Sequence, residues 1–267
     1  MKNRYELSCE NISINYFSGE DYDDRFGGDH CHDRFEITYH LSASAKYNVE
    51  GGEYRATLGS LILIPPMAYH RVELDQTEHV EGYTVHFTRS SLPEAVAVML
   101  DSLSGEDESH GRFYYPELSS DAFVSIFDRF DMAEHLGEKE RLVYMQALLS
   151  EIVILLSAAD GERAVVSEDE LGARVARYLN ANFRKNISLD RLARRFFVSK
   201  YHLCRAFKSY SGISVHAYVN QKRIIYAKGL IESGVTALGA AEKVGYGDYS
   251  AFYRAYVKIV GKSPTAE

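Results

Sequence analysis

Seven residues in the C-terminal part of the chain recur, as the same or a like residue, 49 positions later: Ser199 with Asp248, Leu203 with Phe252, Arg205 with Arg254, Ala206 with Ala255, Phe207 with Tyr256, Gly212 with Gly261 and Ser214 with Ser263. One pair at a fixed offset would mean little. Seven indicate an internal duplication, which confines this region to two copies of one small unit.

The unit is a pair of short helices. Leu189, Leu192, Ala193 and Phe196 keep the i, i+3, i+4, i+7 rhythm of a helix stripe, with Ser188 placed as N-cap. A second helix follows, with Ser199 as N-cap, a stripe of Leu203, Ala206, Phe207 and Tyr210, and Gly212 as its stop. Two short helices joined by about three residues outline a helix-turn-helix. In the second copy the stripes are Ala237, Ala240, Ala241 and Val244, then Phe252, Ala255, Tyr256 and Ile259. The predicted units cover about 188–210 and 236–260.

The opposite stripe of each second helix turns away from the core. In the first copy it holds Tyr201, Cys204, Arg205 and Lys208, with Lys200 beside them. In the second it holds Ser250, Tyr253, Arg254 and Val257, with Tyr249 beside them. Such a face fits the major groove, where Arg bonds guanine bidentately and Lys meets phosphate. The intervening stretch VHAYVNQKRIIYAKGLIESG reads as a helix holding the copies in a fixed relation, so that both can meet successive grooves of one duplex. Arg223 on this connector is open to two readings, a phosphate contact or a local bond at a helix end.

Charge separates the two halves. Residues 1–160 hold 12 Lys and Arg against 29 Asp and Glu, net −17, while residues 161–267 hold 18 against 9, net +9. The overall charge of −8 hides a basic module carried on an acidic one, as nucleic-acid binding requires. Cys9, Cys31 and Cys204 are odd in number and scattered, which predicts reduced thiols. No signal-peptide pattern opens the sequence, and its longest apolar run, IVILL at 152–156, is far shorter than a bilayer span, so a cytoplasmic location is expected and no membrane partner.

With YLNANF, ISLDRLARRFFVSKYHLCRAFKSYSGIS, RIIYAKGLI and VGYGDYSAFYRAYVKIVGKSP, the segment 170–264 resembles the DNA-binding domain of the AraC/XylS family of transcription regulators. The resemblance implies double-stranded promoter DNA as partner, RNA polymerase as a further one, and a homodimer. Where that family usually has isoleucines, Ala237 and Ala240 stand here, which predicts looser packing of the second unit.

Residues 34–87 run in short apolar or alternating bursts, RFEITYHL, AKYNV, EYRATLG, SLILIPP and HVEGYTVHF, the rhythm of a small β-barrel or sandwich. At its front edge stands GDHCHDRFE, where His30, His32 and Glu36 share strand parity; His70 follows on a later strand. This set resembles the cupin motifs, in which three His and one Glu hold a metal, although Met67 and Leu74 replace framework residues. The resemblance implies a divalent transition metal on His30, His32, Glu36 and His70 as an option, with no cofactor required. Sensor domains of AraC-type regulators also have the cupin fold, so the set is read first as a pocket for a small effector. His30, His32, Glu36, Tyr39, His70, Tyr83 and His86 are its candidate contacts. Rings that stack, with carboxylate and imidazole partners, suit a carbohydrate or related polar metabolite.

Two helical segments follow. In the second, Leu142, Met145, Leu149, Ile152 and Leu156 alternate steps of three and four, which fits either a dimer seam or packing on the barrel. The expected architecture is α+β with two domains: a cupin-like barrel and helices over 1–160 for sensing and dimerisation, a polar linker over 161–169, and an all-α double helix-turn-helix over 170–267. The function expected is a ligand-responsive transcription regulator and not an enzyme. The alternative is a metal-dependent cupin isomerase or dioxygenase fused to a basic helical domain.

Overall fold

The structure is a computed structural model of the 267-residue chain. It describes residues 5–19, 30–42, 45–74, 79–104, 114–115, 121–159 and 171–265; the expected linker, and Asp29 at the front edge, lie outside them. Two compact units divide the chain. One comprises Met1–Gly28 with Arg34–Val165, the other Asp29–Asp33 with Val166–Glu267.

Among the described residues the first unit is built on two antiparallel sheets. The strands are β1 (Tyr5–Cys9), β2 (Ile12–Gly19), β3 (Phe35–His40), β4 (Ala45–Val49), β5 (Gly52–Ala56), β6 (Leu61–Ile64), β7 (His70–Leu74), β8 (Val80–Phe87) and β9 (Tyr114–Tyr115). Six form a sheet in the order β1-β2-β8-β3-β6-β9, and three form a second in the order β5-β4-β7. Alternation along β3, β6 and β8 sends successive side chains to opposite faces. Ile37, Tyr39, Leu61, Leu63, Tyr83 and Val85 enter the core beneath the helices, whereas Ile62 and Ile64 join Tyr47, Tyr54 and Val72 of the smaller sheet.

Among the described residues three helices cover the larger sheet: α1 (Glu94–Ser104), α2 (Asp121–Ala133) and α3 (Glu138–Ala158). By length and composition α3 could cross a membrane. Its apolarity is accounted for otherwise, since Met145, Leu148, Leu149, Ile152, Val153 and Leu156 are buried in this unit's core. That burial corrects one expectation. Of the predicted dimer seam, Met145, Leu149, Ile152 and Leu156 are fully enclosed and Leu142 is packed against them, so none offers a free surface to a second chain. The exposed residues of α3 are Glu138, Lys139, Glu140, Val143, Ala147, Ile154, Ser157 and Ala158.

Among the described residues six helices form the second unit: α4 (Leu171–Asn182), α5 (Leu189–Arg195), α6 (Lys200–Ser211), α7 (Val215–Glu232), α8 (Ala237–Lys243) and α9 (Tyr249–Val260). The pairs α5–α6 and α8–α9 are the duplicated units, joined by α7, whose 18 residues span about 27 Å. The two copies differ by one residue. The turn between α5 and α6 covers 196–199, whereas that between α8 and α9 covers 244–248, so the first helices correspond at an offset of 48 and the second at 49.

Of the two alanines expected to loosen the second copy, Ala240 is fully buried and Ala237 is partly buried against the same core. Ala240 and Ala241 are buried against Ile224, Ala227 and Ile231 of α7 and against Phe252 and Tyr256 of α9. The isoleucines of the connector supply the bulk that α8 lacks.

Candidate nucleic-acid interface and effector site

The second helices of the two copies are delimited alike. Ser199 Oγ accepts from the backbone N–H of His202 at 3.1 Å, and the Asp248 carboxylate accepts from those of Ser250 and Ala251 at 3.1 and 3.0 Å. Gly212 (φ 78°) and Gly261 (φ 82°) end α6 and α9, their N–H groups donating to the carbonyls of Lys208 and Val257. These are glycine stops in the left-handed conformation. Ser188 occupies the N-cap of α5, but its side chain makes no capping bond.

Each of these helices has one buried and one open face. Leu203 and Phe207 are enclosed on α6, as Phe252 and Tyr256 are on α9. Lys200, Tyr201, Arg205 and Lys208 are exposed on the first; Ser250, Tyr253 and Arg254 on the second. Among the described residues no ion pair or side-chain hydrogen bond engages Arg205 or Arg254. Lys200 is less open to a ligand, since its Nζ lies 2.7 Å from Asp190 Oδ1. Cys204 is half-buried. Tyr249 departs further from expectation, being half-buried and packed on Phe252 with ring centroids 5.8 Å apart.

Arg223 resolves in favour of the local reading. Its Nε donates to the carbonyl of Phe183 at 2.6 Å, one Nη to that of Lys185 at 2.6 Å and the other to that of Gly245 at 3.2 Å. One guanidinium thus fastens the chain after α4, the connector α7 and the turn of the second copy. Tyr218, also on α7, sets its ring edge-on to Phe207 and donates through its hydroxyl to Asn180 Oδ1 at 2.7 Å. At Gly245 (φ 83°) a Cβ would stand 2.2 Å from the carbonyl oxygen of Arg184, so only glycine fits beside this clamp.

In the first unit the polar side chains collect on one face of the larger sheet. Glu36 lies opposite His86 in the pairing of β3 with β8, Thr38 opposite Thr84, and His40 opposite Gly82. Glu36 Oε2 accepts from His86 Nε2 at 3.1 Å, and its Oε1 accepts from Thr38 Oγ1 at 3.1 Å. His70 Nδ1 donates to the carbonyl of Ala68 at 3.0 Å, a bond that fixes the ring and turns Nε2 toward Glu36 Oε2, 3.7 Å away. His40 is buried with its Nε2 3.0 Å from the Tyr47 hydroxyl, and burial pushes its pKa down to about 4.

Tyr39 and Tyr83 do not belong to this face. Their positions have the opposite parity from Glu36 and His86, and both rings stack on Phe127 of α2, at 5.0 and 5.2 Å. The Tyr83 hydroxyl donates to Asp128 at 2.9 Å. Both are core residues rather than ligand contacts. His30 and His32, with ring centroids 5.9 Å apart, sit on the segment Asp29–Asp33 of the second unit.

Comparison with known proteins bears on this arrangement. The profile of the AraC-like ligand binding domain matches residues 11–142, and that of a helix-turn-helix domain matches residues 192–266. The HTH-type transcriptional regulator YdiP of Escherichia coli is 32% identical over 245 residues, covering 89% of this chain and 80% of its own length. This chain belongs to the AraC family of transcriptional regulators. YbfI of Bacillus subtilis, also an HTH-type transcriptional regulator, is 25% identical across 83% of this chain and 79% of its own. The MmsAB operon regulatory protein of Pseudomonas aeruginosa is 24% identical across 88% and 75%.

Membership of the AraC family assigns DNA binding to the helix-turn-helix part and a small-molecule effector to the sheet part. It also decides against the cupin-enzyme alternative, because the relatives are transcriptional regulators. Sequence reading had missed Thr38, His40 and Thr84 of the polar face. The signal was available in the strict period of two along β3, which places residues 36, 38 and 40 on one side.

Proposed function

We propose that this AraC-family regulator reads promoter DNA with α6 and α9 and changes its DNA occupancy when a small polar metabolite binds the sheet unit. The observation that carries this reading is the repetition of one device: two helices, capped and stopped alike, each presenting an exposed arginine, Arg205 and Arg254, at equivalent positions. In the groove Arg205 and Arg254 bond base edges or phosphate, Lys208 meets phosphate, and Tyr201, Ser250 and Tyr253 line the contact.

The effector site is the polar face of β3 and β8 that holds Glu36 and His86 with Thr38 and Thr84 beside them, faced by His70 of the smaller sheet. Alternating carboxylate, hydroxyl and imidazole groups above an aromatic layer suit a sugar or another polyhydroxylated metabolite. His30 and His32 stand as candidates on the sequence pattern. No metal is required in this reading. The effector acts by preferring one arrangement of the protein; equal affinity for both would shift nothing. The regulator works in the cytoplasm as a homodimer through the outward side of α3, and RNA polymerase is its downstream partner.

The test is Arg205→Ala in the full chain, with a duplex enriched by the wild-type protein from a random-sequence pool. The variant keeps its fold and binds about 1–3 kcal/mol more weakly, with a shallower salt dependence. Unchanged affinity would remove α6 from the readout.

A further inference from the structure

The turn of the first copy contains a residue whose backbone conformation calls for glycine. After α5 the N–H of Val198 donates to the carbonyl of Ala193 at 3.0 Å and that of Phe197 to Arg194 at 3.3 Å. After α8 the same two bonds run from Tyr246 to Ala241 at 3.0 Å and from Gly245 to Glu242 at 3.0 Å. Both helices therefore end in the same motif, whose penultimate residue takes the left-handed conformation and is usually glycine. The second copy has Gly245 there, with φ 83°; the first has Phe197, with φ 55°. A bulky aromatic in that region is strained.

Packing within the chain does not repay the strain. Phe197 is 94% exposed, while its neighbour Phe196 turns inward and meets Tyr178 edge-on at 6.1 Å. A fully solvated phenyl ring in an unfavourable backbone conformation is what a contact residue looks like without its partner.

The surroundings say which partner. Phe197 stands two residues before Ser199, the N-cap of α6, and Tyr201 in the first turn of that helix is 77% exposed. Arg191, Arg194, Arg195 and Lys200 are exposed around the turn; the one acidic neighbour on α5, Asp190, is paired with Lys200. A ring set among cations suits a polyanion with an apolar wall rather than the apolar face of another protein.

We propose that Phe197 is a DNA contact of the first unit, its ring lying on deoxyribose at the edge of the groove entered by α6. The inference rests on the reading of α6 as a DNA-reading helix. Sugar edges are apolar and independent of base identity, so the contact adds affinity that is indifferent to salt, unlike the contacts of Arg205 and Lys208.

The experiment compares Phe197→Gly, Phe197→Leu and Arg205→Ala in the full chain, using the same pool-enriched duplex. Phe197→Gly relieves the strain and raises the melting temperature by about 4 °C, yet binds DNA about five- to tenfold more weakly with an unchanged salt slope. Phe197→Leu recovers most of the affinity. A lower melting temperature for Phe197→Gly would mean a structural role and overturn the proposal, as would wild-type affinity. So would wild-type DNA binding accompanied by lost transcription with purified RNA polymerase, which would assign the ring to a protein partner. If Arg205→Ala alone weakens binding, the proposal fails and the reading of α6 stands; if neither change matters, both fail.

Discussion

Glu36 and His86 face each other across neighbouring strands, with carboxylate oxygen and imidazole nitrogen 3.1 Å apart on the polar side of an otherwise apolar sheet. Glu36→Ala leaves both His86 and His70 without their carboxylate. The first unit then loses about 1–3 kcal/mol of stability in urea denaturation, and the chain no longer responds to effector in promoter binding. An undiminished effector response would move the sensing site elsewhere.

His40 makes the same unit sensitive to acid. Its folded pKa, pushed down to about 4 by burial, lies below the 6.5 of a solvated histidine, so the unfolded chain binds the proton more readily. Stability from this residue is complete above about pH 6.5 and is lost progressively as pH falls toward 4, by about 3 kcal/mol in all. Denaturation midpoints at pH 7 and pH 4.5 measure this loss, and His40→Gln flattens the difference. A variant with the wild-type pH profile would assign the loss to other groups.

Arg223→Met removes the donor for three carbonyls at once. We expect the second unit to lose about 2–3 kcal/mol in chemical denaturation and DNA affinity to fall with it. Arg205→Ala, by contrast, lowers affinity with no change in stability. Reversal of that pattern would make Arg223 the phosphate contact and Arg205 the structural residue.

The two sides of α3 predict opposite outcomes. Leu149→Glu buries a charge in a closed core and unfolds the first unit. Ile154, which is 46% exposed, and Val143, which is 64% exposed, lie on the outward side. Ile154→Glu keeps the fold and converts the dimer to monomer in sedimentation equilibrium. A monomeric wild type would remove the dimer from the reading.

How far the sequence could be read depended on the range of the interactions concerned. The two helix-turn-helix units were legible because their stripes, caps and glycine stops are local and occur twice, so each copy checks the other. On β3 and β8 parity alone separates Tyr39 and Tyr83 from Glu36 and His86, and chemical type, an aromatic hydroxyl suited to a ligand, pointed the wrong way. For α3 the spacing of Leu142, Met145, Leu149, Ile152 and Leu156 identified an apolar seam correctly. Whether such a seam meets its own sheet or another molecule is decided by what packs above it, which periodicity does not carry. Arg223 was undecidable for a similar reason, since its three acceptors lie on segments 22 to 40 residues away.

The Arg223 clamp has a consequence for the genes under control. On the proposed reading by α6 and α9, a yoke fastened at three carbonyls holds the two binding subsites at one separation. About five extra base pairs between them would rotate one subsite to the far side of the double helix, where no bending of α7 could follow. The proposed reading therefore predicts promoters that tolerate a changed letter within either subsite more readily than an insertion between them.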